Sequence, residues 1–211
     1  MKTMSLILAR CGSKGISDKN IIEINGNPLL YYTTNASLNA NVNETWVSTD
    51  CDKIKNVAQN LGCKVIDRPI EISGDNSKSD EALVHFAENI DFDILVFIQP
   101  TSPLLKSSDI NKGLKKMQNY DSVFSVTKEH WIPRWTENGE PVGWDINNRP
   151  MRQDVKETYI ENGAFYITTK KQLLDSNLRY GGRIGMIEMP LHRSFQIDTM
   201  DDLKLIGKLL K

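Results

Sequence analysis

The chain has 211 residues, 39% of them hydrophobic and 25% charged, which suits one domain with a sizeable core. Its 26 Lys and Arg nearly cancel its 27 Asp and Glu, and a net charge of −1 argues against a general nucleic-acid binder. The first apolar run stops at Arg10, too short for a signal peptide or a membrane span, and three cysteines (Cys11, Cys51, Cys63) match no zinc spacing, so the expectation is reduced thiols in a cytoplasmic protein.

Met4 to Ala9 reads as a buried strand, a short apolar run closed by a glycine-rich break. That break carries Gly12 and Gly15, the cations Arg10, Lys14 and Lys19, and the serines Ser13 and Ser17. Glycines let the backbone turn sharply and approach a ligand. Successive N–H groups in such a turn can form an anion-binding concavity, and clustered cations suit a polyphosphate. The composition alone fits a solvated basic turn equally well. The spacing is neither that of the common P-loop nor that of the dinucleotide fingerprint, and the second exclusion weighs against an oxidoreductase. Cys11 sits among these cations, where a thiol can be activated.

Asn25 to Pro28 reads as a turn, with Pro28 suited to the first position of a helix from Leu29 to Leu38. Glu44 to Thr49 is a strand. Asp50 is positioned to cap a helix from Lys53 to Leu61, which Gly62 stops, and Lys64 to Asp67 is a short strand. Strand, helix, strand, helix, strand predicts an α/β fold with a parallel sheet and helices on its faces. A polar loop from Arg68 to Ser79 leads to a helix over Asp80–Asn89; His85 within it has no second ligand at metal spacing. Ile94 to Ile98 is the clearest central strand, five apolar residues of which three are β-branched. Ligands of open α/β sheets bind beyond the carboxyl ends of strands, so the loops after Ala9, Thr49 and Ile98 are expected to share one rim.

Ser107, Ser108 or Asp109 is placed to cap the next helix, which runs to Gln118, and Asp121 to Thr127 is a strand. From Glu129 to Glu157 no period holds, and three of the four tryptophans (Trp131, Trp135, Trp144) fall there. Such a segment is either an irregular excursion folded on its own domain or an aromatic interface. A strand from Ala164 to Thr168, entered through Asn162 and Gly163, a strand from Arg183 to Met189, and a helix from Asp201 to Leu210 capped by Thr199 or Asp198 complete the chain. No repeat or long linker divides it, so residues 1–211 are expected to form one domain with an inserted arm at 129–158.

The order of residues says more than their composition. Leu8-Ala9-Arg10-Cys11-Gly12-Ser13-Lys14-Gly15 with Lys19-Asn20 resembles the Ala-Arg-x-Gly-Ser-Lys-Gly and Lys-Asn signature of the acylneuraminate cytidylyltransferases, which make CMP-sialic acid and related CMP-nonulosonates. Val47-Ser-Thr-Asp50, Arg68-Pro69 with Ser79, Gln99-Pro-Thr-Ser-Pro-Leu104, Arg149-Pro-Met-Arg-Gln-Asp154 with Glu161-Asn-Gly-Ala-Phe-Tyr166, and Ile197-Asp198 follow in the family's order across nearly the whole chain. Lys14 stands where the related 3-deoxy-manno-octulosonate enzymes have a second Arg, which points away from that branch.

The resemblance implies a three-layer, mostly parallel sheet of nucleotide-diphospho-sugar transferase (Rossmann-like) type, and an arm that inserts into the partner of a homodimer. It implies attack of a nine-carbon sugar acid's anomeric hydroxyl on the α-phosphorus of CTP, with Mg²⁺ as cofactor and no protein nucleophile. N-acetylneuraminate is the first-choice acid, its deaminated analogue and legionaminate-type sugars the next. Carried over residue by residue, Arg10, Lys14, Lys19 and Asp198 are catalytic, with Asp198 holding Mg²⁺. Leu8, Ala9, Arg10, Gly12, Ser13, Lys14, Lys19, Asn20, Arg68 and Ser79 surround the nucleotide, and Gln99, Arg152 and Asn162 contact the sugar acid. Two departures stand out. Gln196 replaces the first carboxylate of the Asp-Ile-Asp found in many relatives, and an amide is a poorer Mg²⁺ ligand. Ile160 replaces an Arg that contacts the substrate carboxylate in some bacterial relatives, which leaves that duty to Arg152, to a partner-chain cation or to a different sugar. The alternative reading is a CTP-binding protein of the same fold without transfer activity.

Overall fold

A computed structural model describes residues 1–12 and 15–211. A seven-stranded sheet organises them. Its strands are β1 (Thr3–Leu8), β4 (Glu44–Thr49), β5 (Lys64–Asp67), β6 (Ile94–Ile98), β7 (Ser122–Lys128), β10 (Tyr159–Thr169) and β11 (Ile184–Glu188), in the order β11-β7-β10-β6-β1-β4-β5. Only β10 runs antiparallel to its neighbours; β1 pairs in parallel with both β4 and β6. Interior parallel strands bury both faces, which is why β6 reads as an unbroken apolar run and all five of its residues are buried.

The side-chain alternation sends each strand's residues into two different layers. Leu95 and Phe97 of β6, with Met4 and Leu6 of β1, pack against Leu83 and Phe86 of α3 (Ser79–Asn89) and Leu173 of α5 (Lys170–Ser176). Val96 and Ile98, with Ile7, face Leu30 of α1 (Leu29–Leu38), Ile54 of α2 (Asp52–Asn60) and Ile110 of α4 (Ser107–Lys116). Ser5 would be an error in such a core if it were unpaired. Its hydroxyl meets Thr45 at 3.1 Å, and Thr45 meets Ser37 at 2.8 Å, so the buried hydroxyls satisfy one another. A third, smaller cluster lies under the carboxyl rim, where Ile16, Leu104 and Ile197 pack with Ile206 of α6 (Met200–Leu209).

Several boundaries differ from expectation for identifiable reasons. The Asn25-Gly26 turn has both residues at positive φ (49° and 83°), and it closes a small hairpin of β2 (Glu23–Ile24) and β3 (Asn27–Pro28). Asp50 does not cap α2. Cys51 takes that position, because the Asp50 carboxylate accepts the Cys11 N–H at 2.8 Å. Lys106, not Ser107, Ser108 or Asp109, is the N-cap of α4. Asp109 instead reaches back to the Lys106 N–H at 3.2 Å from the third helical position. Thr199 caps α6, reciprocated by Asp202. The strand expected from Ala164 begins at Tyr159 as β10, with a bulge between Glu161 and Tyr166.

The excursion between β7 and β10 is not wholly irregular. It contains a two-stranded ribbon of β8 (Arg134–Trp135) and β9 (Pro141–Val142), with Trp135 and Trp144 edge to face at 4.9 Å and Arg149 over the Trp144 ring. Its base is closed by Thr158 donating to Glu129 at 2.6 Å. Among the described residues, no helix is long and apolar enough to cross a membrane.

One buried ion pair secures the segment that returns to the rim before α6. Arg193 grips the Asp109 carboxylate through both terminal nitrogens, one contact at 3.1 Å, and the Asp109 side chain is 1% exposed. Removing one partner of such a pair strands a buried charge. Arg193→Ala should therefore lower the unfolding free energy by about 3–5 kcal/mol in a denaturant titration, with Asp109→Asn/Arg193→Ala less damaging than Arg193→Ala alone.

Candidate active site

The carboxyl ends of β1, β4 and β6 lie side by side, with Leu8 opposite Ser48 and Ile7 opposite Ile98. The loop after β1 is tied down from its first residue. Ala9 donates to the Ser48 carbonyl at 3.0 Å, Cys11 to Asp50, and the Asn20 amide to the Arg10 carbonyl at 3.0 Å. Gly12 adopts φ +66°, a left-handed conformation that favours glycine. Lys19 then sits on a single 3₁₀ turn (Lys19–Ile21) and donates to Asp198 Oδ1 at 3.0 Å and to the Ile197 carbonyl at 3.2 Å. The 196–198 segment is itself held by Ile197 N–H on the Thr101 carbonyl, 2.9 Å away, and Ile197 is fully buried. Loop and segment approach so closely that a Cβ at Gly15 would lie 2.7 Å from the Asp198 carbonyl oxygen.

Between them opens a cleft of about 400 Å³. Seven of the residues expected to be catalytic or to bind nucleotide or sugar acid line it: Leu8, Arg10, Lys19, Asn20, Ser79, Gln99 and Asp198. Phe97, Thr101 and Gln196 line it as well. Arg10 forms an ion pair with Asp75 at 2.8 Å, on the loop that leads to Ser79. Ser79 opens α3, and the next residue, Asp80, anchors that helix to Arg179 at 2.6 Å. Burial works against the Asp80 carboxylate, but the Arg179 guanidinium outweighs it and holds the group below its ordinary range. Arg179 in turn covers the rings of Tyr166 and Phe97.

Other expected residues stand outside the cleft wall. Ser13 and Lys14 lie outside the described residues. Ala9 is fully buried. Arg68 is buried beside the rim, donating to the Ser48 hydroxyl at 3.0 Å and the Ser48 carbonyl at 2.7 Å, where it lines a smaller recess with Asp50. Burial pushes its guanidinium down to about 10, with Asp50 opposing that effect, so it stays cationic at neutral pH. The Asn162 side chain is spent internally, on Ser194 at 3.0 Å and on the Ala164 N–H at 3.2 Å. Arg152 sits at the base of the excursion against His130, in a separate concavity of about 390 Å³.

Part of the cleft wall is a polar ladder. Gln196 Nε2 donates to Gln99 Oε1 at 2.8 Å and to the Asn162 carbonyl at 2.9 Å. Gly163 passes beneath at φ +69°; a Cβ there would fall 2.2 Å from Gln196 Nε2. Sequence reasoning marked Gln196 only as a weakened metal ligand, and the spacing of 97 residues from Gln99 gave no sign of their contact. Asp198 is the acid that could hold a cation: its side chain is 66% exposed, and a carboxylate engaged by one lysine keeps further acceptor capacity. Among the described residues no cluster of three His, Cys, Asp or Glu side chains is arranged for a metal.

Cys11 is not an activated thiol. The neighbouring Cys51 side chain, then burial, push it up to about 11, with the Asp50 charge adding to the effect. A raised pKa keeps the group neutral through the physiological range. The alkylation rate of Cys11, followed by peptide mapping, should be very low at pH 8, with roughly a thousandth of the thiol ionised, and should keep rising with pH beyond the point where an ordinary cysteine levels off. Gly163→Ala should displace the Gln196 amide and cost about 1–3 kcal/mol of stability, measured by thermal unfolding.

Comparison with known proteins joins this geometry to a family. The profile described as cytidylyltransferase matches residues 4–209. N-acylneuraminate cytidylyltransferase B of Danio rerio is 42% identical over 205 residues, covering 92% of this chain and 48% of the relative. An N-acylneuraminate cytidylyltransferase of Streptococcus agalactiae is 30% identical over 223 residues, covering 99% and 54%. The chain thus spans about half the length of these relatives. In fold, it is similar to CMP:2-keto-3-deoxy-manno-octonic acid synthetase complexed with CTP (TM-score 0.76, 17% identity, 100% of this chain and 98% of the other). It is also similar to 4-diphosphocytidyl-2C-methyl-D-erythritol synthase of Anaerococcus prevotii (TM-score 0.71, 13% identity, 99% and 96%). The three-layer sheet is therefore of the Rossmann-like nucleotidyltransferase type, and the chain belongs to the cytidylyltransferase family.

Proposed function

We propose that this chain couples CTP to a nine-carbon sugar acid, giving the CMP-sugar and pyrophosphate, with N-acetylneuraminate as the first-choice acid and its deaminated or legionaminate-type analogues next. The observation that carries the reading is the convergence of Arg10, Lys19 and Asp198 with Gln99 in one cleft at the carboxyl ends of β1 and β6. The relatives' names supply the sugar class.

The transfer forms one bond, from the anomeric oxygen to the α-phosphorus, and breaks one, from that phosphorus to the bridging oxygen of pyrophosphate; the hydroxyl proton leaves to solvent. Such a step needs positioning and charge stabilisation more than covalent help. Arg10 and Lys19, with Lys14, would neutralise charge that grows on the leaving pyrophosphate, and the amides around Gly12 would receive phosphate oxygens. Ser13 would belong to that phosphate-holding stretch, while Leu8, Ala9, Asn20 and Ser79 would surround cytosine and ribose, Arg68 acting from behind through Ser48. Gln99 would meet the sugar acid, and Asn162 would act through its carbonyl on Gln196. The donor set suits a hard cation: one exposed carboxylate, Asp198, beside a polyphosphate that supplies the remaining oxygens, as Mg²⁺ prefers. Bound there, Mg²⁺ would offset phosphate charge.

The chain is read as one cytidylyltransferase domain acting in the cytoplasm, with residues 129–158 as a homodimer arm. The arm leaves β7 and rejoins β10 with Tyr159 opposite Lys128, so it springs from the same rim as the cleft. It carries the exposed apolar side chains Ile132, Trp135, Ile146 and Met151. Docked on a second copy, it would carry Arg152 toward a substrate carboxylate.

Pyrophosphate release should be measured with CTP and Mg²⁺ against N-acetylneuraminate, its deaminated analogue, legionaminate, pseudaminate and 3-deoxy-manno-octulosonate. Release with one or two of the nonulosonates is expected, and Asp198→Asn should lower kcat by about 10²-fold or more and shift the Mg²⁺ titration. CTP binding without release on any acid would overturn the transfer reading in favour of a non-catalytic CTP-binding protein. Sedimentation equilibrium should give twice the 24.0 kDa of one chain; a monomer would remove the arm's assigned role.

A further inference from the structure

The Gln196 amide nitrogen has three acceptors in reach, and the two nearer ones, Gln99 at 2.8 Å and the Asn162 carbonyl at 2.9 Å, take its two hydrogens ahead of the Ser102 hydroxyl at 3.4 Å. The Asn162 backbone carbonyl can only accept, so the atom of Gln196 that lies 2.9 Å from it must be the nitrogen. The same nitrogen lies 2.8 Å from the end of the Gln99 side chain, so the Gln99 atom there must be the carbonyl oxygen. The orientation of both amides thus follows from the chemistry of a peptide carbonyl. With its oxygen drawn to Gln196, Gln99 keeps its NH₂ for the cleft it lines, and among the described residues nothing accepts from it. Backbone geometry enforces the arrangement. Gly163 has no Cβ, and one built there would sit 2.2 Å from Gln196 Nε2 and 2.9 Å from Gln99 Oε1. The segment bearing Gln196 is held by the Ile197–Thr101 bond on one side and the Arg193–Asp109 pair on the other.

We propose that Gln196 is a positioning and specificity-determining residue that locks the Gln99 amide with its NH₂ toward the cleft, making position 99 a donor to a carboxylate oxygen of the sugar acid. This rests on the cytidylyltransferase reading above. An aspartate at position 196 could only accept. It would repel the Asn162 carbonyl and turn Gln99 to donate inward, presenting a carbonyl to the substrate instead. The exchange of Asp for Gln at this position therefore reverses the hydrogen-bonding polarity of the sugar-acid wall and is more than the loss of a metal contact.

Two measurements test it. In the protein without substrate, hydrogen exchange of the side-chain amides by ¹⁵N NMR should be slower for Gln196 than for Gln99 by about tenfold or more. Equal exchange, or a more protected Gln99, would overturn the assignment whether or not the chain proves to be an enzyme. In kinetics, Gln196→Met should raise the sugar-acid KM by about tenfold and leave the CTP KM within about twofold. An unchanged sugar-acid KM, or equal changes in both, would sink the specificity role. If the wild-type chain releases pyrophosphate with no acid, the functional reading fails while the NMR result still decides the amide orientation.

Discussion

Lys19 Nζ reaches Asp198 and the Ile197 carbonyl from the far end of the sequence, and that bridge joins the two walls of the cleft. One wall is the loop after β1, the other the segment before α6. Neither is a regular element, so neither could hold its shape by a ladder of its own. The bridge is partly sheltered, with the lysine 15% exposed, but its acid is open to solvent, and such a pair alone contributes little. It is effective because both sides are fixed beforehand: Asn20 on the Arg10 carbonyl, Ile197 on Thr101, and Gly15 against the Asp198 backbone with no side chain between.

The same logic of indirect support runs through the rest of the rim. Arg68 acts on the Ser48 end of β4, Asp50 takes the Cys11 N–H, and the Arg179–Asp80 pair steadies the helix that presents Ser79. Charges that resemble nucleotide ligands in the sequence are here partly spent on the scaffold that positions other ligands. A preorganised frame of this kind lowers the cost of ordering the site when a charged substrate arrives.

The reversed strand β10 has a functional consequence. Because it runs against β6, its first residues lie at the carboxyl rim, where Asn162 and Gly163 adjoin Gln99. The same reversal lets the 129–158 excursion, which leaves β7 at that rim, return to it directly. A parallel strand at this place would have begun at the opposite end of the sheet, putting the polar ladder far from the cleft and forcing the excursion to cross the molecule.

The sequence by itself determined the fold class and most of the elements. A run as short and β-branched as Ile94–Ile98 reads as a doubly buried strand, and alternating strands and helices leave few topologies. It also marked the loop from Leu8 to Asn20 through its glycines and cations, since these residue types carry their physics locally. What the tertiary structure alone decided were the pairings across long stretches of chain: Lys19 with Asp198, Arg193 with Asp109, Gln196 with Gln99. It also decided that Asp50 serves the loop rather than a helix cap, and that Cys11 is suppressed by Cys51 rather than activated. Hydrogen-bond partners and desolvation depend on which surfaces the sheet brings together, and neither is written in the local order of residues.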